Sequence, residues 1–106
     1  MRYRVIVTPD AESDLRVTHG YLRDRARRAA GEWIRKIRSS IKTLSRYPER
    51  CSPAPESASF EEPIRQLLFG FGNRGTYRIL FTVIGDAVYV LHVRHGSMLP
   101  REPRDL

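Results

Sequence analysis

Apolar and polar residues alternate in two rhythms along this chain, and each change of rhythm marks a new element. Residues 2–8 (Arg-Tyr-Arg-Val-Ile-Val-Thr) are β-branched or aromatic and partly alternating, which predicts a strand. Thr8-Pro9-Asp10 then reads as a helix start, with Thr8 as N-cap, Pro9 in the first turn, and Asp10 and Glu12 as first-turn acids. Ala11, Leu15, Thr18 and Leu22 follow at helical spacing, so a first helix runs to about Asp24. In a second helix, Ala30, Trp33, Ile34, Ile37, Ile41 and Leu44 mark one apolar stripe. Arg28, Arg35, Lys36, Arg38, Lys42 and Arg46 occupy its other faces, Trp33 reads as a core anchor, and Pro48 ends it. Two helices this close in sequence form an antiparallel hairpin.

Beyond them the period changes. Residues 48–63 form a loop with four prolines, a connector within one domain. Its Cys51 reads as an exposed, unremarkable thiol, since nothing near it in sequence lowers its pKa. Three strands follow: Ile64–Gly70, Thr76–Ile84 and Ala87–His95. Residues 71–75 turn the chain between the first two, and Gly85-Asp86 is a tight-hairpin signal between the last two. Both hairpin strands are apolar on both faces, which puts them near the sheet centre. Residues 97–106 contain Pro100 and Pro103 and read as an irregular tail. The predicted fold is therefore α+β and a single domain over residues 1–106. Its order is strand, helix, helix, three strands, with the N-terminal helical hairpin on one face of an antiparallel sheet.

A two-residue loop at Gly85-Asp86 sets a register. Ile84 faces Ala87, Ile79 faces His92, Tyr77 faces Arg94, and Arg78 faces Val93 with His95 diagonally adjacent. One set of side chains, Tyr77, Ile79, Phe81, Val83, Val88, Val90, His92 and Arg94, then packs under the helices. Arg78 and His95 share the open face, where an arginine and a histidine could bind phosphate and move a proton. His92 becomes a packed, hydrogen-bonded histidine.

Composition adds one bias. The 106 residues are 41% hydrophobic and 29% charged, as in a folded globular domain. The net charge is +7, and residues 1–50 supply all of it, with 13 Lys/Arg against 6 Asp/Glu. The remaining residues hold 6 of each and are neutral. Such a field favours an acidic partner, and Arg35, Arg38, Lys42 and Arg46 on the second helix are the binding candidates. One cysteine excludes a disulfide framework. There is no signal-peptide apolar region, no membrane-length apolar run, no metal-ligand spacing and no phosphate-cradling glycine loop, so neither cofactor nor metal is expected. The simplest location is the cytoplasm.

The stretches Ile64-Arg65-Gln66-Leu67-Leu68-Phe69-Gly70, Gly75-Thr76-Tyr77-Arg78-Ile79-Leu80-Phe81-Thr82-Val83 and Gly85-Asp86-Ala87-Val88-Tyr89-Val90-Leu91-His92-Val93-Arg94-His95-Gly96 resemble the RelE/ParE superfamily of type II toxin–antitoxin toxins. The Tyr77-Arg78 pair and the Val93-Arg94-His95-Gly96 ending carry most of the likeness, and the element order extends it over roughly residues 2–97. The resemblance implies a growth-arresting, plasmid-stabilising toxin, neutralised by an antitoxin whose acidic C-terminal segment wraps it. Operator DNA is then reached only through the antitoxin. RelE-like members cleave ribosome-bound mRNA without a metal. In that reading Arg78 clamps phosphate, Arg65 assists and His95 transfers the proton. ParE-like members poison DNA gyrase by contact alone, and Arg94 then joins the helix cations as a binding residue. Leu67 stands where the nuclease often has lysine, and residues 97–106 hold no tyrosine or histidine. The ending also looks more like ParE. The expected activity is therefore a non-enzymatic gyrase poison, with the ribosome-dependent endoribonuclease as the alternative.

Overall fold

The computed structural model describes residues 2–96; the predicted irregular tail, residues 97–106, lies outside the described residues. Strand β1 (Arg4–Val7) leads into helix α1 (Pro9–Arg25). Thr8 caps it as predicted: its Oγ1 accepts the Ala11 N–H at 3.3 Å and also donates to the Val90 carbonyl at 2.7 Å. One hydroxyl thus starts the helix and ties it to the sheet. Ala26, outside the helical region (φ −155°, ψ 84°), breaks the helix before α2 (Arg27–Lys42) turns back along it. Ala30, Trp33, Ile37 and Ile41 are the buried face of α2, and Leu44 extends that stripe into a 3₁₀ turn at Thr43–Ser45.

The sheet contains five strands in the order β1-β5-β4-β3-β2: β2 is Ser52–Pro53, β3 Arg65–Gly70, β4 Thr76–Ile84 and β5 Ala87–His95. The α+β architecture and the central position of the β4–β5 hairpin follow the expectation. In detail the sheet is mixed, because β1 pairs with β5 in parallel, from Arg4 opposite Ala87 to Val7 opposite Val90. Local alternation in β1 carries no information about which distant strand it will join. Trp33, Ile37, Leu44 and Leu15 from the helices pack on Ile79, Phe81, Val88 and Val90 from the sheet. At roughly 1.5–3 kcal/mol for each large side chain buried, that cluster is the main source of stability.

The proline-rich segment does more than connect. It forms 3₁₀ turns at Pro48–Arg50 and Pro55–Ser59 and supplies β2. Ala54 and Ile64 form a second apolar cluster with Leu80, on the sheet face away from the helices. The Ser57 hydroxyl accepts the Ile64 N–H, and Thr82 Oγ1 donates to the Pro63 carbonyl at 2.9 Å. Cys51 is buried, not exposed, and burial pushes its thiol above the ordinary value. The expectation failed because polar spacing around Cys51 gave no sign that this segment folds against the sheet.

Candidate functional site

The hairpin turn sits at Gly85-Asp86 as predicted, with Gly85 at φ 61° and Ile84 opposite Ala87. The pairing stays regular to Phe81 opposite Val90, where a bulge inserts Leu91 into β5. Leu80 then faces His92, Ile79 faces Val93, Arg78 faces Arg94 and Tyr77 faces His95. Every predicted pair beyond the bulge is therefore displaced by one residue. A one-residue slip exchanges the faces.

The consequence is chemical. His95 lies on the helix side, its ring edge-on to Tyr77 at 5.1 Å, with Nε2 3.3 Å from the Arg74 carbonyl oxygen. A Cβ on Gly75 would stand 2.7 Å from that Nε2, so glycine is what admits the ring. Arg78 lies on the other face, so the predicted Arg78–His95 face does not exist. The residue brought opposite Arg78 is Arg94.

Arg78 is 7% exposed, and its own chain binds two of its three guanidinium nitrogens. Nη2 binds Glu56 Oε1 at 2.5 Å and Nε donates to Gln66 Oε1 at 3.0 Å. Glu56 is 2% exposed, held in the Pro55–Ser59 turn. The sequence reading missed Glu56, although Pro55 before an acid was a legible signal for a short helical turn. Arg65 Nη1 donates to the Cys51 carbonyl at 2.6 Å and the Glu49 carbonyl at 3.3 Å, fixing β3 to the proline-rich segment.

His92 is buried and hydrogen-bonded as predicted, but the slip places it opposite Leu80, so that it and Arg94 leave the set predicted under the helices. Its Nδ1 is 3.0 Å from Asp14 Oδ2, which also accepts the Val93 N–H at 2.9 Å. β1 stops opposite Val90, so α1 satisfies the edge of β5 beyond that point.

Of the helix cations, Arg38 forms a two-pronged pair with Glu12 of α1 at 3.0 and 2.9 Å. It holds the Glu12 carboxyl below its ordinary pKa, and its own is raised in return. Arg35, Lys42 and Arg46 are exposed. The helix side also carries a cleft of about 670 Å³ between α1 and the end of β5, lined by Thr18, Tyr21, Leu22, Arg74, Tyr77 and His95. Val17 and Tyr21 beside it are 69% and 56% exposed. That surface is built to be covered: apolar side chains stand in solvent around a recess with a cation at its rim. No helix among the described residues is long and apolar enough to cross a membrane. Nor does any group of His, Cys, Asp and Glu among them have the makings of a metal site.

Residues 5–100 match the family described as the ParE toxin of type II toxin–antitoxin systems. The fold is similar to a chain of the chromosomal ParDE toxin–antitoxin system of P. aeruginosa, with a TM-score of 0.69 and 19% identity over 89% of this chain and 96% of that one. It is also similar to a chain of the RelBE2 toxin–antitoxin complex of Mycobacterium tuberculosis, with a TM-score of 0.54 and 22% identity over 92% and 95%. No curated protein sequence matches the chain.

Proposed function

The chain belongs to the ParE toxins of type II toxin–antitoxin systems, and from that premise we propose that it arrests growth by poisoning DNA gyrase until a cognate antitoxin neutralises it. The observation that carries the choice of target is the separation of Arg78 from His95. Phosphate clamping and proton transfer need both groups within reach of one scissile bond. Here they point to opposite faces of a sheet, and the Glu56 carboxylate already occupies Arg78. Gyrase poisoning requires only a surface that binds the enzyme while its DNA is cleaved. Such a target implies a cytoplasmic protein that needs no cofactor.

The antitoxin seat favoured by the geometry is the cleft between α1 and β5. Val17 and Tyr21 offer apolar area for an amphipathic segment, and Arg74 offers a partner for its acids. The charge of +7 suits an acidic wrapping segment.

The test is a supercoiling assay. Plasmid DNA, gyrase and ATP are incubated with the purified chain, and topoisomers and linear DNA are resolved on a gel. The expected result is loss of supercoiling with accumulation of cleaved DNA, both reversed by the antitoxin. Unchanged supercoiling with protein that is folded and toxic in cells overturns the gyrase reading. Cleavage of ribosome-bound mRNA by the same protein would establish the nuclease in its place.

A further inference from the structure

At the far end of α2 the chain builds a second surface that neither the cleft nor the sheet uses. It is a shallow concavity of about 510 Å³ lined chiefly by Ser39, Lys42, Thr43, Arg46, Tyr47 and Arg50. Cations and hydroxyls line it and no carboxylate does. The acid nearest in sequence, Glu49, is held elsewhere, accepting the Tyr3 hydroxyl at 2.9 Å. Neither Lys42 nor Arg46 has a side-chain hydrogen bond or ion pair among the described residues, unlike Arg38, which is consumed by Glu12.

Tyr47 is the centre of this surface. It is 72% exposed, the largest exposure of any bulky apolar side chain among the described residues. It is also the one non-glycine residue among those described with a left-handed backbone (φ 48°, ψ 54°). That conformation costs on the order of 1–3 kcal/mol, and strain of this kind persists only where the surroundings impose it. Arg50 braces the turn around it: Nη1 donates to the carbonyls of Arg46 at 2.7 Å and Tyr47 at 3.2 Å, and Nη2 to Thr43 Oγ1 at 2.9 Å. The same bonds occupy the Arg46 and Tyr47 carbonyls just past the end of the helix, so those oxygens do not face an incoming anion bare. The result is an aromatic ring held out into solvent between free cations.

We propose that the Lys42–Arg46–Tyr47 surface is a DNA-binding site, in which the two cations and the neighbouring hydroxyls take the phosphodiester backbone and Tyr47 stacks on an unpaired base. The free ring favours nucleic acid over an acidic peptide. Carboxylates would be served by the cations alone, whereas aromatic stacking is the sequence-tolerant half of single-strand recognition. Phosphate contacts by Lys, Arg, Ser and Thr supply the other half. The inference stands apart from the gyrase reading, because the test contains no gyrase.

The full chain, free of antitoxin, is titrated into fluorescein-labelled single-stranded and duplex DNA probes of mixed sequence, with anisotropy read over a series of salt concentrations. The paired change Lys42→Ala/Arg46→Ala is compared with Arg27→Ala/Arg28→Ala, which removes the same charge about 20 Å away at the start of α2. The first pair is expected to weaken binding on the order of ten- to a hundredfold near 0.1 M salt and to flatten the salt dependence by roughly two phosphate contacts. The second pair is expected to weaken it less than threefold. Tyr47→Ala should weaken the single-stranded probe at least fivefold, with Tyr47→Phe retaining affinity and the duplex less affected. Circular dichroism confirms that each variant folds. Equal losses from both charge pairs would reduce the site to the net field of the protein and overturn the proposal. So would a polyglutamate probe binding as tightly as DNA through Lys42 and Arg46, or no DNA binding at low salt.

Discussion

Glu56 and Arg78 show how one buried pair decides what a face of the molecule is for. An arginine in a central strand is a ready anion site while its guanidinium is free. Here a carboxylate from the chain's own proline-rich segment sits on it, and Gln66 takes a further donor. The register also places Arg94 opposite Arg78, and two like charges across a ladder repel. Glu56 therefore offsets a repulsion as well as a desolvation. Its removal leaves a cation buried without its carboxylate, so Glu56→Ala should cost about 3–5 kcal/mol in urea unfolding. Adding Arg78→Met should restore part of that, because the cation that lost its carboxylate at 2.5 Å is then gone. A loss below about 1 kcal/mol for Glu56→Ala would mean that water screens the pair as it does at a surface.

At the scale of elements, the patterns legible in the sequence were those that depend on near neighbours. The Thr8 cap, the apolar stripe from Ala30 to Leu44 and the Gly85-Asp86 turn are local, and each stands where its residues require. The bulge at Leu91 is not local in that sense. Val90, Leu91 and Val93 are interchangeable by alternation, and only the end of β1 and the approach of α1 make the slip favourable. Asp14 is the residue that settles it, by accepting the Val93 N–H that no strand can take. Asp14→Ala should therefore cost about 1–3 kcal/mol, with Asp14→Asn costing less because an acceptor oxygen remains. Hydrogen exchange at the Val93 amide checks this directly: it should quicken in the alanine variant, and unchanged protection would assign the bulge to some other cause. The helical hairpin has its own clasp in Glu12 and Arg38. Glu12 has a lowered pKa in the folded state, so the pair's stabilisation is present above the ordinary glutamate range and is lost as the pH falls through the depressed value. Both side chains are more than a third exposed, which limits the effect to about 0.5–1 kcal/mol. Thermal unfolding of wild type and Arg38→Ala should differ at neutral pH and converge in acid; a gap that persists in acid would point to packing by the arginine stem.

For the whole molecule the governing fact is that its charge is unevenly placed. Residues 1–50 hold the entire excess of +7, and they are the strand, the helical hairpin and the turn that carries Tyr47. Residues 51–106 are neutral as a whole and hold the buried Glu56–Arg78 pair. On the reading proposed above, the toxin is captured before it reaches its target, and a positive helical layer would speed and orient the approach of an acidic antitoxin. Exposed charges farther apart than about 8–10 Å are screened at ordinary ionic strength, so steering of this kind is a low-salt effect. The association rate of the antitoxin, followed by stopped flow, should fall at least tenfold from about 20 mM to about 0.5 M salt, while dissociation changes far less. Lys42→Ala/Arg46→Ala should lower that association rate only modestly, because the antitoxin seat proposed above, beside Val17 and Tyr21, does not include them and most of the positive field remains. The same double change is expected to remove most of the DNA affinity. If association with the antitoxin proves flat in salt, the field does not serve capture. The free cations around Tyr47 would then be left to a polyanion as their principal ligand.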